Sequence, residues 1–194
     1  INTFLFAACA ALLAVVISSL VWRFRVAALL WLPFLMPGML LSLAIIWLFN
    51  RTALEMIYRS AAIIIIALCL RCVGPVWGLI RQSFYSVDGS LLEAARLEGL
   101  RGWAFFRHAY LPRIAPAGLA GWYIAYLLSL WDVETIILLY PPGSETLALR
   151  AFNLLHYGHT AQVNGICLLL IALALGPALL YFVVRPLLCA RRSL

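Results

Sequence analysis

Apolar residues fall in five long runs, approximately 3–21, 27–49, 61–80, 115–139 and 162–184, separated by short polar segments. A bilayer core about 30 Å thick needs about 20 apolar residues per helix, so each run is long enough to cross. The predicted fold is all-α: one polytopic membrane helical bundle of about five transmembrane helices, a single domain over residues 1–194. Pro141-Pro142-Gly143 is expected to stop the fourth run and Arg185-Pro186 the fifth. Neither an internal repeat nor an appended soluble domain is visible in the pattern.

Composition sharpens this picture. Of the 194 residues 66% are hydrophobic and 11% charged, against roughly 45–50% and about 25% in soluble domains. A soluble enzyme or nucleic-acid-binding domain is excluded, because such a chain would expose large apolar patches. The net charge is +7, all fourteen basic residues are Arg, and all of them but Arg71 lie outside the apolar runs. Five crossings put Arg23, Arg25, Arg81, Arg96, Arg101, Arg107, Arg113, Arg185, Arg191 and Arg192 on one side. Arg51, Arg59 and Arg150 face the other. The positive-inside rule makes the Arg-rich side cytoplasmic, with residue 1 outside and the C-terminus inside. The first run has no basic residue before it and no small-residue cleavage site after it, so it reads as a retained span. Cys69 and Cys72 lie in the third run without a second pair and read as small buried hydrophobes.

The long polar segment, 86–113, therefore faces the cytoplasm. Ser90 with Glu93 three residues on has the form of a capping box, which predicts a helix beginning near Leu91. Gly99 stands where a left-handed C-cap is expected. A second amphipathic piece from Trp103 should end at Leu111-Pro112. Such a hairpin, exposing Leu91, Leu92, Leu97, Trp103 and Phe106 beside several Arg, is suited to plugging a groove in another protein.

With these residues in place, the segment resembles the EAA loop of permease subunits in ABC-type importers. Glu93-Ala94-Ala95 carries the motif, Gly99 its spaced glycine, Glu98 its usually acidic place, and Leu111-Pro112 its close. Ala109 and Val87-Asp88 depart from the pattern. The resemblance implies that Glu93, Ala94, Ala95, Glu98, Gly99, Leu111 and Pro112 belong to a coupling helix docked on a cytoplasmic ATPase subunit. It further implies an extracytoplasmic substrate-binding protein, a second permease half and a place in the cell (inner) membrane. No nucleotide-binding GxxxxGK[ST] occurs, so no ATPase activity of its own is expected. Family halves usually have six spans, so five suggest part of a longer chain.

The run from Asp132 to Leu147, with its Pro-Pro-Gly turn, is similar to ferric-iron-type permeases and their thiamine and polyamine relatives. Iron(III) is the substrate this implies first, with thiamine, a polyamine or an organophosphorus solute as alternatives. Charges inside a span are costly and face polar interiors, which makes Asp132, Glu134 and Arg71 candidates for the translocation path, with capping or kinking of the helix near the outer interface as the alternative for Asp132. Two constraints separate them on a regular helix. Asp132 and Glu134 lie about 200° apart, and Arg71 sits about 12 Å in depth from Asp132, beyond comfortable reach. His156-x-x-His159 lacks a third ligand nearby, so neither a metal nor a cofactor is expected. An intramembrane hydrolase is disfavoured by the absence of GxSxG and of any His within a span. A passive channel or scaffold is the other reading.

Overall fold

The computed structural model describes residues 2–24, 27–51, 54–90, 93, 97–99 and 102–190. Its helices are α1 (Asn2–Val21), α2 (Ala27–Leu35), α3 (Gly38–Phe49), α4 (Glu55–Tyr58), α5 (Ala62–Tyr85), α6 (Gly102–Phe105), α7 (Leu111–Trp131), α8 (Leu147–His156) and α9 (Thr160–Ala190). A π-helical turn, Phe106–Tyr110, joins α6 to α7. Four helices are long and apolar enough to cross a membrane, and α2 with α3 forms a fifth, bent candidate. The chain is a multi-pass membrane helical bundle.

Packing is built on small side chains. Ala7, Ala10, Ala11, Ala14 and Ser18 recur at three- and four-residue spacing on one face of α1 and are fully buried. The opposite face exposes Leu5, Leu12, Leu13, Val16 and Leu20. In lipid, helices gain little from hiding leucine, and small residues that let backbones approach are what hold a bundle together. Gly74 serves the same end on α5, where an added methyl group would lie 2.7 Å from the Leu30 carbonyl oxygen of α2.

Cross-helix hydrogen bonds fix the directions. The Ser18 hydroxyl donates to the Val73 carbonyl (3.3 Å) and the Trp77 indole to the Val21 carbonyl (3.3 Å), so α1 and α5 run parallel. The Trp122 indole donates to the Ala8 carbonyl (3.3 Å), and Phe4 meets the Tyr126 ring edge-on, so α7 runs antiparallel to α1. The Tyr126 and Tyr123 hydroxyls donate to Leu173 and Ala174 of α9 (2.9 and 3.0 Å). Parallel α1 and α5 require residues 22–61 to carry the chain back from one end of the bundle to the other. The five-pass order expected from the apolar runs is thereby reproduced. Arg23, Arg81, Arg107 and Arg113 gather toward one end, with the 86–113 loop, while Arg59 and Arg150 lie toward the other. Arg25, Arg96, Arg101, Arg191 and Arg192 lie outside the described residues.

Several expected boundaries are corrected. The second run is two helices bent by 118°. Pro37 (φ −53°, ψ 137°) has extended backbone and no N–H, which breaks the helical ladder there. The fourth helix stops at Trp131, eight residues early, because Asp132 turns its carboxylate onto the residues that follow. Arg185-Pro186 does not stop the last helix, which continues to Ala190 with the loss of one backbone hydrogen bond. Helix α8 was absent from the sequence reading. Its signal is Thr146, whose hydroxyl accepts the Leu149 N–H as an N-cap. The Pro-Pro-Gly turn is present, with Gly143 at φ +82°, and Asn2 donates to the Gly143 carbonyl (3.2 Å).

Candidate functional site: an ion cluster at a helix break and an exposed loop

Arg71, Asp132 and Glu134 come together, contrary to expectation. Arg71 Nε lies 3.3 Å from Asp132 Oδ2, and Nη2 lies 3.8 Å from Glu134 Oε2. Counting rise from presumed membrane faces failed because it ignored the register of α5 on α7. Val76 packs on Gly121, and the Cys72 thiol reaches the Ala125 carbonyl and Ser129 hydroxyl (both 3.6 Å). That register leaves Arg71 about one helical turn from Trp131, within reach of a long side chain. The 200° separation failed because residues 132–134 are not helical. Asp132 is extended (φ −75°, ψ 100°), and its carboxylate accepts the Thr135 N–H (3.0 Å) and O–H (2.8 Å). An Asp that bonds its own downstream backbone offers the chain an alternative to helix.

The cluster ties three elements to one another. Arg71 Nη1 donates to Thr135 Oγ1 (3.2 Å), and the Gly38 N–H at the start of α3 donates to Glu134 Oε2 (3.1 Å). The Ser42 hydroxyl lies 2.7 Å from the Thr135 carbonyl. A methyl group at Gly38 would meet Arg71 Nη1 at 2.6 Å, Glu134 Cβ at 2.7 Å and Thr135 Oγ1 at 2.9 Å, so only glycine fits. The Asp132 side chain is 5% exposed and Arg71 23%, whereas Glu134 is 61% exposed. A cavity of about 500 Å³ opens beside them, lined by Phe34, Leu127, Trp131 and the three charged residues among others. Gly38, Ser42 and Thr135 are the participants that sequence reasoning missed. The spacing of Asp132 and Thr135 and the Pro37-Gly38 pair were the available signals.

At the opposite end, the loop presents the other candidate residues. Glu93 is helical and exposed, and Glu98 is exposed in the turn. Gly99 has φ +78°, the left-handed conformation that glycine adopts without strain. Ala94 and Ala95, with Leu91 and Leu92, lie outside the described residues. Leu97 is 89% and Trp103 72% exposed. Leu111 and Pro112 are exposed but do not stop a helix. Pro112 occupies the first turn of α7, where its missing N–H costs nothing. The Leu111 N–H reaches back to the Phe106 carbonyl, closing the π turn before the proline. A row of aromatic rings then links loop to bundle: Trp103 stacks on Phe106 (5.5 Å), Phe106 on Tyr110 (6.4 Å), Tyr110 meets Phe84 at a tilt (5.8 Å) and Phe84 stacks on Trp22 (4.2 Å).

The cap of the loop's first turn also differs from expectation. Asp88, not Ser90, caps it, with Oδ1 accepting the Ser90 N–H (3.1 Å). That bond holds the Asp88 pKa below its ordinary value, with Arg113 adding a smaller pull in the same direction. A lowered carboxylate pKa means the cap is present at neutral pH and is lost only as pH falls through the depressed value. The Ser90 amide resonance is therefore expected to hold its capped shift below the ordinary Asp pKa of about 3.9. Asp88→Ala should remove that shift at every pH. Titration of the amide above pH 5 in the wild type would contradict the cap.

Comparison with known proteins bears on the chain as a whole. The spermidine/putrescine transport system permease protein PotC of Haemophilus influenzae is 27% identical over 177 residues, 86% of this chain and 68% of its own length. The putrescine transport system permease protein PotI of Escherichia coli K12 is 28% identical over 179 residues, 85% of this chain and 64% of its own. The chain is related to importer permeases of the ABC type. A further permease relative, PhnV of Salmonella paratyphi A, is 24% identical over 145 residues, 75% of this chain. Its assignment to a 2-aminoethylphosphonate transport system is provisional. This chain spans between 54% and 68% of the length of these permeases. No family model matches it. The iron(III) expectation finds no support among them, and the polyamine alternative fits their names better. His156, the first of the outer histidine pair, directs its ring to the Phe152 carbonyl (3.2 Å).

Proposed function

We propose that this chain is a transmembrane permease subunit of an ATP-driven ABC importer, resident in the cell (inner) membrane, for a small alkylammonium solute of the polyamine class. The observation that carries the reading is the 86–113 loop at the Arg-rich end of the bundle, where Glu93, Leu97, Glu98 and Trp103 are exposed and Gly99 takes the left-handed turn at the glycine position of an EAA loop. The permease relatives support it, and the Arg distribution supports a cytoplasmic loop. In this reading Glu93, Ala94, Ala95, Glu98 and Gly99 contact a separate ATPase subunit, and the row of aromatic rings from Trp103 to Trp22 carries its movement into α1 and α5. An extracytoplasmic binding protein delivers the solute, and a second permease half completes the path.

The polyamine class rests on the relatives' names and on the cluster, where two carboxylates face one guanidinium beside apolar and aromatic walls. Carboxylates and ring faces are what an alkylammonium group seeks. Affinity purification of the tagged protein tests the coupling role. Wild type should retain an ATPase subunit, and Glu93→Ala should weaken the association. Gly99→Pro, which cannot adopt a positive φ, should lower it about tenfold, a loss of about 1.4 kcal/mol. Equal retention by all three would sink the coupling role, and no ATPase with wild type would favour a channel or scaffold.

A further inference from the structure

The two carboxylates of the cluster are not equivalent. Asp132 is the more fully engaged: Oδ2 pairs with Arg71 Nε and accepts the Thr135 O–H, and Oδ1 accepts the Thr135 N–H. Glu134 is held through Oε2 alone, by the Gly38 N–H at 3.1 Å and by Arg71 at 3.8 Å. Its Oε1 has no partner among the described residues, and its side chain is largely exposed beside the cavity. Arg71 thus spends its charge on Asp132 and leaves one net negative charge in the cavity, presented by Glu134. Phe34, Leu127, Leu128 and Trp131 supply the apolar and aromatic walls around it.

We propose that Arg71 is a specificity-determining residue of this cavity: by occupying Asp132 it limits the site to one ammonium group of a ligand, held at Glu134. The proposal rests on the alkylammonium reading above and deepens it. One ammonium neutralises the cavity. A second ammonium brought in on the same ligand would leave an uncompensated cation against apolar walls, which is unfavourable. A diamine is then held by one end only, firmly enough to enter and weakly enough to leave, as a transport path requires. Removing the guanidinium would free Asp132 for the second end and convert the cavity into a two-point clamp.

Equilibrium binding to the solubilised protein, with whatever subunits co-purify, reads this directly, using putrescine and n-butylamine as probes of nearly equal length and different charge. The wild type should bind the two within about threefold of each other. Arg71→Met should favour putrescine by about tenfold or more, and Arg71→Lys, which keeps the charge, should restore the wild-type ratio. An unchanged ratio in Arg71→Met would overturn the proposal while leaving the alkylammonium reading standing. Binding of neither amine by wild type would overturn that reading itself. Should Arg71→Met not purify, Glu134→Gln decides, since it leaves the Arg71–Asp132 pair intact. About tenfold weaker binding of both amines supports the site at Glu134, and unchanged binding overturns it.

Discussion

Replacing Asp132 by Ala is expected to destabilise the solubilised protein by about 1–3 kcal/mol, because it leaves the mostly buried Arg71 guanidinium with only its longer, 3.8 Å contact to the exposed Glu134. The same change removes both acceptors of Thr135, so the turn that ends α7 loses its cap at the same time. Much of that loss should be recoverable. Combining Arg71→Met with Asp132→Ala removes the stranded charge, and apolar replacement of a buried ion pair is often near neutral. A double-mutant cycle on thermal unfolding is the measurement. Coupling of 1 kcal/mol or more is expected, and additivity within about 0.5 kcal/mol would show that the pair contributes nothing.

Gly38→Val should have an effect of similar weight by a different route. The glycine sits where α3 begins, and a single added carbon already falls within 2.6–2.9 Å of Arg71, Glu134 and Thr135. Branching at Cβ enlarges the clash, and overpacking of this kind costs about 1–3 kcal/mol before any loss of function is counted. Moving Glu134 aside strains its carboxylate's bond to the Gly38 N–H, which is the tie between the α2–α3 bend and the turn that follows α7. Transport in cells expressing the variant is therefore expected to fall about tenfold or more even where the protein accumulates normally. Near-normal uptake by Gly38→Val would mean that the bend is held elsewhere.

The parts of this molecule that were legible in the sequence are those written locally. Five apolar runs marked the spans because length against bilayer thickness is a one-dimensional criterion. Gly99 announced its turn because only its own backbone conformation was at issue. The ion cluster was legible only as a set of residues. Whether Arg71 reaches Asp132 depends on the register of α5 against α7, set by contacts such as Val76 on Gly121 and Cys72 on Ser129. It depends equally on α7 ending at Trp131, an outcome decided by a three-residue turn inside an otherwise helical-looking run. Helix α8 was hidden for a related reason: at ten residues it is too short to register beside spans twice its length. Substrate class lay further out still, since the Pro-Pro-Gly turn is a matter of backbone and says little about cargo.

The π turn at Phe106–Tyr110 has a geometric corollary. A π turn holds one residue more than the α-helix around it, and each residue of an α-helix advances the chain by about 100°. The angle at which Trp103 faces away from the bundle is therefore set by one surplus residue between α6 and Pro112. Deleting that residue would let the helix run on without interruption while swinging α6, and Trp103 with it, about a third of a turn around the axis of α7. Seen this way the π turn is an angular spacer, and the direction in which this protein offers its loop is written in the length of five residues.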